Sequence, residues 1–98
     1  MKEDIKSFIS EVISKDQEGN LAIEDVISAS NLLKKEFGTI IGFRWVAEND
    51  CEVYLVEEEN PGNQVFVAAF EDIENKDAFV IDATVEALTK FLDIYVQD

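Results

Sequence analysis

Apolar residues in the first third of the chain recur at the spacing of an α-helix. Ile5, Phe8, Ile9, Val12 and Ile13 fall on one stripe and predict a helix over 3–17. Gly19 suits the end of that helix, since glycine accepts the left-handed backbone of a C-terminal cap, and Asn20 is placed to cap the next one. Ile23, Val26, Ile27, Leu33 and Phe37 predict a second helix that stops before Gly38. The short connection makes the two helices antiparallel neighbours.

From Thr39 the period changes to two. Ile41, Phe43, Trp45 and Ala47 alternate on one face of a first strand, and Cys51, Val53 and Leu55 on a second, with Glu48-Asn49-Asp50 as the turn between them. A three-residue turn over 48–50 sets Arg44 across from Tyr54, with Glu52 as a diagonal neighbour. Asn60-Pro61-Gly62-Asn63 is a strong turn signal, because Pro presets φ at the first central position and Gly accepts a positive φ at the second. Phe66, Ala68 and Phe70 follow on a third strand. Folding about Pro61-Gly62 predicts Leu55 opposite Ala68 and Val53 opposite Phe70.

Residues 72–77 read as a charged turn and 78–82 as a short fourth strand. Asp82 or Thr84 then caps a last helix to about Val96, with Val85, Leu88, Leu92 and Tyr95 facing the core and Phe91 beside them. The expected fold is one α+β domain over 1–98: an N-terminal helical hairpin, a four-stranded antiparallel meander and a C-terminal helix, in the order αα-ββββ-α.

The second face of the sheet is apolar as well. Ile40, Val46, Tyr54, Val56, Val65, Val67, Ala69 and Val80 fall there, where a solvated face calls for polar residues. Either the helices divide between the two faces, or a second copy, a partner or a small apolar ligand covers the open one.

Composition adds two constraints. Hydrophobic residues make up 47% of the 98, which places the chain among folded rather than disordered sequences. The formal net charge is −14, unevenly spread: 5 basic against 8 acidic residues in 1–38, and 3 against 14 in 39–98. Such a field repels nucleic-acid backbones and anionic membranes and attracts basic proteins, although acidity also serves solubility alone. No window reaches the ~18 apolar residues of a membrane helix. The start, Met1-Lys2-Glu3-Asp4-Ile5-Lys6, lacks the apolar run of a secretory signal. With a single cysteine no disulfide forms within the chain, so a cytoplasmic protein is the simplest expectation.

Candidate chemistry is sparse. The chain has no histidine, which removes the commonest general base, the commonest metal ligand and every Ser-His or Cys-His pair. Cys51 lies on the inward face of a strand, where a thiol is inert. Gly38 and Gly42 belong to no phosphate-binding loop. Glu57-Glu58-Glu59 alternate between faces and read as a solvated strand end that discourages edge-to-edge aggregation. The twelve residues from Ser14 to Asp25 resemble an EF-hand calcium loop at Asp16, Glu18, Gly19, Leu21 and Asp25. Ser14 stands where that loop has Asp and Asp25 where it has the longer Glu, and a helical hairpin with a Gly turn explains the same residues. Arg44, the only arginine, suits a cross-strand ion pair or a cation–π contact.

These residues point to a non-enzymatic acidic binding protein that engages a basic protein partner, without cofactor, metal, nucleic acid or membrane. Glu48, Asp50, Glu57, Glu58, Glu59, Glu71, Asp72, Glu74 and Asp77 are its candidate contact residues. In composition the chain resembles immunity proteins of nuclease toxins and inhibitors that mimic DNA, which implies recognition by charge. The alternative is a homodimeric α+β domain that binds a small apolar ligand or peptide through the apolar sheet face, with Ile40, Val46, Tyr54, Val56, Val65 and Val67 as the dimer or ligand face.

Overall fold

A computed structural model describes residues 2–96. The order is α1 (Lys2–Gln17), α2 (Ile23–Phe37), β1 (Thr39–Ala47), β2 (Asp50–Glu57), β3 (Gln64–Phe70) and α3 (Lys76–Tyr95). The N-terminal hairpin forms as its apolar period predicts. α1 buries Ile5, Ile9 and Val12. It is closed off by Gly19, whose φ of +75° lets the Asn20 amide reach the Lys15 carbonyl and the Gly19 amide the Asp16 carbonyl, a Schellman closure. The cap of α2 differs from the expectation. Asn20 lies outside the helix start, and Asp25 reaches back instead, its Oδ2 accepting from the Ala22 amide at 3.0 Å. At the far end Gly38 takes φ +63° and donates to the Lys34 carbonyl at 3.0 Å.

Three strands, not four, make the sheet, in the order β1-β2-β3 with antiparallel neighbours. The segment 78–82 belongs to α3. Asn75 caps that helix by accepting from the Ala78 amide at 3.0 Å, so the helix starts well before Asp82 or Thr84. Phe79, Ala83, Ala87 and Phe91 then repeat every four residues, all buried. The four apolar residues 78–81 carry too little length to separate strand from helix, and the capped start decides for helix.

Both hairpins depart from the expected register. Arg44 pairs with Glu52 and Gly42 with Tyr54, and the ladder shifts at Val46, which has no partner. In the second hairpin Val53 faces Ala68, but Tyr54 faces Phe66 and Leu55 faces Val65, so Val67 is the extra residue of a bulge. The pairs Leu55–Ala68 and Val53–Phe70 therefore do not form. The turn itself sits where expected, with the Asn63 amide on the Asn60 carbonyl at 2.8 Å. Gly62 does not adopt a positive φ, so the turn is of the type I kind that Pro61 also favours.

The helices all serve one face of the sheet. One buried cluster joins Ile5 and Ile9 of α1, Ala29 and Leu33 of α2, and Leu88 and Phe91 of α3 to Leu55 of β2. A second joins Cys51 and Val53 to Phe79 and Ala83. Val65 and Val67 pack against these clusters, because the bulge turns them inward and sends Phe66 outward. Val80, placed on α3, also packs inward.

Candidate functional site

The candidate acidic contacts divide between the two ends of the sheet. At one end the β1–β2 turn is tied to the β3–α3 connection. The Ile73 amide donates to the Asn49 carbonyl at 2.9 Å, the Asp72 amide to Asp50 Oδ1 at 3.0 Å, and Lys76 Nζ to the Glu48 carbonyl at 3.4 Å. Asp72 is held at φ +55°, a left-handed conformation that Asp tolerates better than most side chains. These bonds bring the segments that carry Glu48, Asp50, Glu71, Asp72, Glu74 and Asp77 to one end of the sheet, where Lys76 is the one basic residue in them.

That acidic rim borders an aromatic cluster. The ring of Phe79 lies 5.7 Å from Phe43, 5.4 Å from Trp45 and 5.2 Å from Phe70. Lys76 Nζ stands 4.0 Å above the Trp45 ring, a cation–π contact. Phe43 and Trp45 remain 42% and 45% exposed, because they share one edge strand and the first turns of α3 cover only part of each ring. Alternation assigns both to the core face; nothing in a period of two reveals that the covering helix stops short.

Glu57, Glu58 and Glu59 lie at the opposite end, on the wall of a cleft of about 620 Å³. Phe37, Phe91 and Tyr95 line its aromatic side, with centroids 5.1 Å apart for Phe37–Phe91 and 5.0 Å for Phe91–Tyr95. Lys34 and Lys35, from the last turn of α2, form the other wall. Lys34 Nζ is 3.7 Å from Glu58 Oε2, and Asn63 donates to Glu57 Oε2 at 2.6 Å. The Glu58 amide bonds the Gly38 carbonyl at 2.8 Å and so fixes the strand end against the helix end.

The face away from the helices carries Ile40, Tyr54 and Val56, joined by Phe66 in place of Val65 and Val67. Tyr54 and Phe66 meet edge to face at 5.6 Å. Val46 is 54% exposed and Phe66 49%. Gly42 leaves room here for Val56, whose Cγ2 would lie 3.0 Å from any added Cβ. A polar group adjoins the patch. Tyr54 Oη donates to Glu52 Oε1 at 2.9 Å, and Arg44 Nη1 lies 3.8 Å from the same oxygen. The hydrogen bond to Glu52 pushes the Tyr54 hydroxyl above the usual tyrosine range.

Cys51 is 1% exposed, and burial pushes its thiol up, against the smaller opposing effects of the Arg44 amide and Lys76. A thiol so placed is a poor nucleophile. In the loop that resembles a calcium site, Asp25 is already engaged by the Ala22 amide and by Lys15 at 3.6 Å. Among the described residues no three cysteine or carboxylate side chains converge as metal ligands, and no helix is long and apolar enough to cross a membrane. Comparison with protein-family models, with curated proteins and with solved structures finds no match to this chain.

Proposed function

We propose that this chain is a non-enzymatic acidic binding protein whose basic protein partner docks on the end of the sheet built by the β1–β2 turn and the β3–α3 connection. One observation carries the reading. Two half-exposed aromatic rings, Phe43 and Trp45, lie toward the end of the sheet where two segments tied together by hydrogen bonds carry six carboxylates. Interfaces draw much of their strength from aromatic anchors near the centre, and a charged rim steers the approach and sets the partner's sign. The same charge disfavours nucleic acid and anionic membranes. The reading involves no cofactor.

The partner is to be captured from the native host at low salt, released at high salt, and then titrated in pure form. The association rate should fall at least about tenfold between low and high salt. Trp45→Ala should weaken the complex by about tenfold or more, as truncated anchors do. Glu74→Gln with Asp77→Asn should slow association and leave dissociation nearly unchanged. Binding that ignores both salt and Trp45→Ala overturns the reading.

The one-sided packing of the helices favours a second reading, a homodimer through Ile40, Tyr54, Val56 and Phe66. Salt separates the two. Screening weakens a complex of opposite charges but strengthens a dimer in which each copy carries −14. Light scattering across a salt series reads that sign directly.

A further inference from the structure

We infer that the cleft between the last turn of α2 and the end of β2 is a second docking site for the same partner, shaped for a short segment that carries an apolar side chain beside a lysine or arginine. The inference rests on the proposal that the chain binds a basic protein. Its own support is the composition and size of the cleft. About 620 Å³ is within the range of sites that enclose a small ligand or a few side chains. The rings of Phe37 and Tyr95 are 38% and 52% exposed on either side of buried Phe91, so an apolar side chain finds two aromatic surfaces ready for it.

Charge selects the rest of the occupant. Three glutamates face two lysines, and among the described residues only Lys34 and Glu58 pair across the mouth, with both side chains substantially exposed. Exposed pairs of this kind hold weakly, so an incoming cation can take Glu58 from Lys34. Glu59 has no ion-pair partner among the described residues and offers a second carboxylate. The surrounding protein is strongly negative, which adds to the attraction for a cation and opposes an anion at the lysine wall. Lys34 therefore acts as an internal competitor: it occupies the carboxylate that the partner's cation would use.

The test uses a fluorescent synthetic peptide alternating Arg with Leu and Trp. Its controls are an Arg/Ser peptide of equal charge and a Gln/Leu/Trp peptide without charge. Amide resonances of the labelled protein locate each contact, with Gly38, Thr39 and Glu58 reporting the cleft and Asn49, Asp72 and Ile73 the acidic end. The mixed peptide should move the cleft resonances and bind more tightly than either control. Tyr95→Ala should weaken it by about tenfold and Glu59→Gln by about threefold, in line with a lost aromatic surface and a lost exposed charge. Lys34→Gln should strengthen it by about threefold, by freeing Glu58. These three side chains are exposed, and unchanged circular dichroism confirms that the variants fold.

Weaker or unaltered binding in Lys34→Gln overturns the inference. So does a mixed peptide that moves only Asn49, Asp72 and Ile73, and in that case the acidic-end proposal stands. If neither the peptides nor the basic partner moves any resonance, both readings fall together.

Discussion

Phe79 joins three aromatic neighbours from two strands while itself only 5% exposed. Truncating it leaves a cavity that Phe43, Trp45 and Phe70 cannot fill without moving. Phe79→Ala should cost about 3–5 kcal/mol in urea unfolding, and Trp45 fluorescence should shift in the folded state as its neighbour disappears. Cys51 and Tyr54 give a pH dependence with a definite sign. Both groups hold their protons to higher pH in the folded chain than in the unfolded one. Their contribution to stability is complete below the ordinary values, about 8.5 for a thiol and 10 for a tyrosine, and is lost as pH climbs through the raised ones. The urea midpoint should therefore drop on the alkaline side, and Cys51→Ala and Tyr54→Phe should each flatten that drop. The inward thiol was legible in the sequence, since alternation with Val53 and Leu55 places Cys51 among apolar residues. The partner of Arg44 was not: a turn of two residues, Glu48 and Asn49, in place of three, together with the bulge at Val46, moves it from Tyr54 to Glu52, and neither leaves a mark on composition.

Among the elements, α3 differs most from its sequence reading. Asn75→Ala should cost about 1 kcal/mol and loosen the first turn, which hydrogen exchange at Ala78 and Phe79 would register. A much smaller loss would mean that packing, not the cap, fixes the start of the helix. The residues Ala78, Phe79, Val80 and Ile81 suit a strand by type, and their helical identity shows only when Phe79 is counted with Ala83, Ala87 and Phe91. α1 and α2 were legible because each carries its period over four turns and ends on a glycine. The three strands were legible for the same reason at period two. Their register was less so. The Pro61-Gly62 turn is correctly placed, yet the ladder beside it sets Tyr54 opposite Phe66 and Leu55 opposite Val65, and the bulge at Val67 then changes the register from Val53 onward, so that Val65 and not Phe66 lies on the helix side.

For the whole molecule, the sequence left open whether helices cover one face of the sheet or two, because both faces are apolar along the strands. The deciding fact is tertiary. The stripes of all three helices meet at Leu55, α3 alone covers Val53 and Cys51, and among the described residues no element covers the other side. The candidate site was legible in its acids and not in its shape. Turns far apart in sequence meet through Asn49 and Ile73, and the glutamates of the β2 end join a cleft whose aromatic residues come from two helices. The sheet also ends in two strands, β1 and β3, that have a neighbour on one side only. Unpaired strand borders invite copies of a chain to stack, and here an aromatic patch lies beside them. At neutral pH a net charge of −14 opposes stacking of strand borders; near pH 4.1, where the charges of the sequence balance, that opposition vanishes. Turbidity with a rise in thioflavin fluorescence is the expected outcome of storage close to that pH, and clear solutions there would show that the strand borders are blunted by something other than charge. On that expectation the excess of carboxylates acts as a colloidal safeguard.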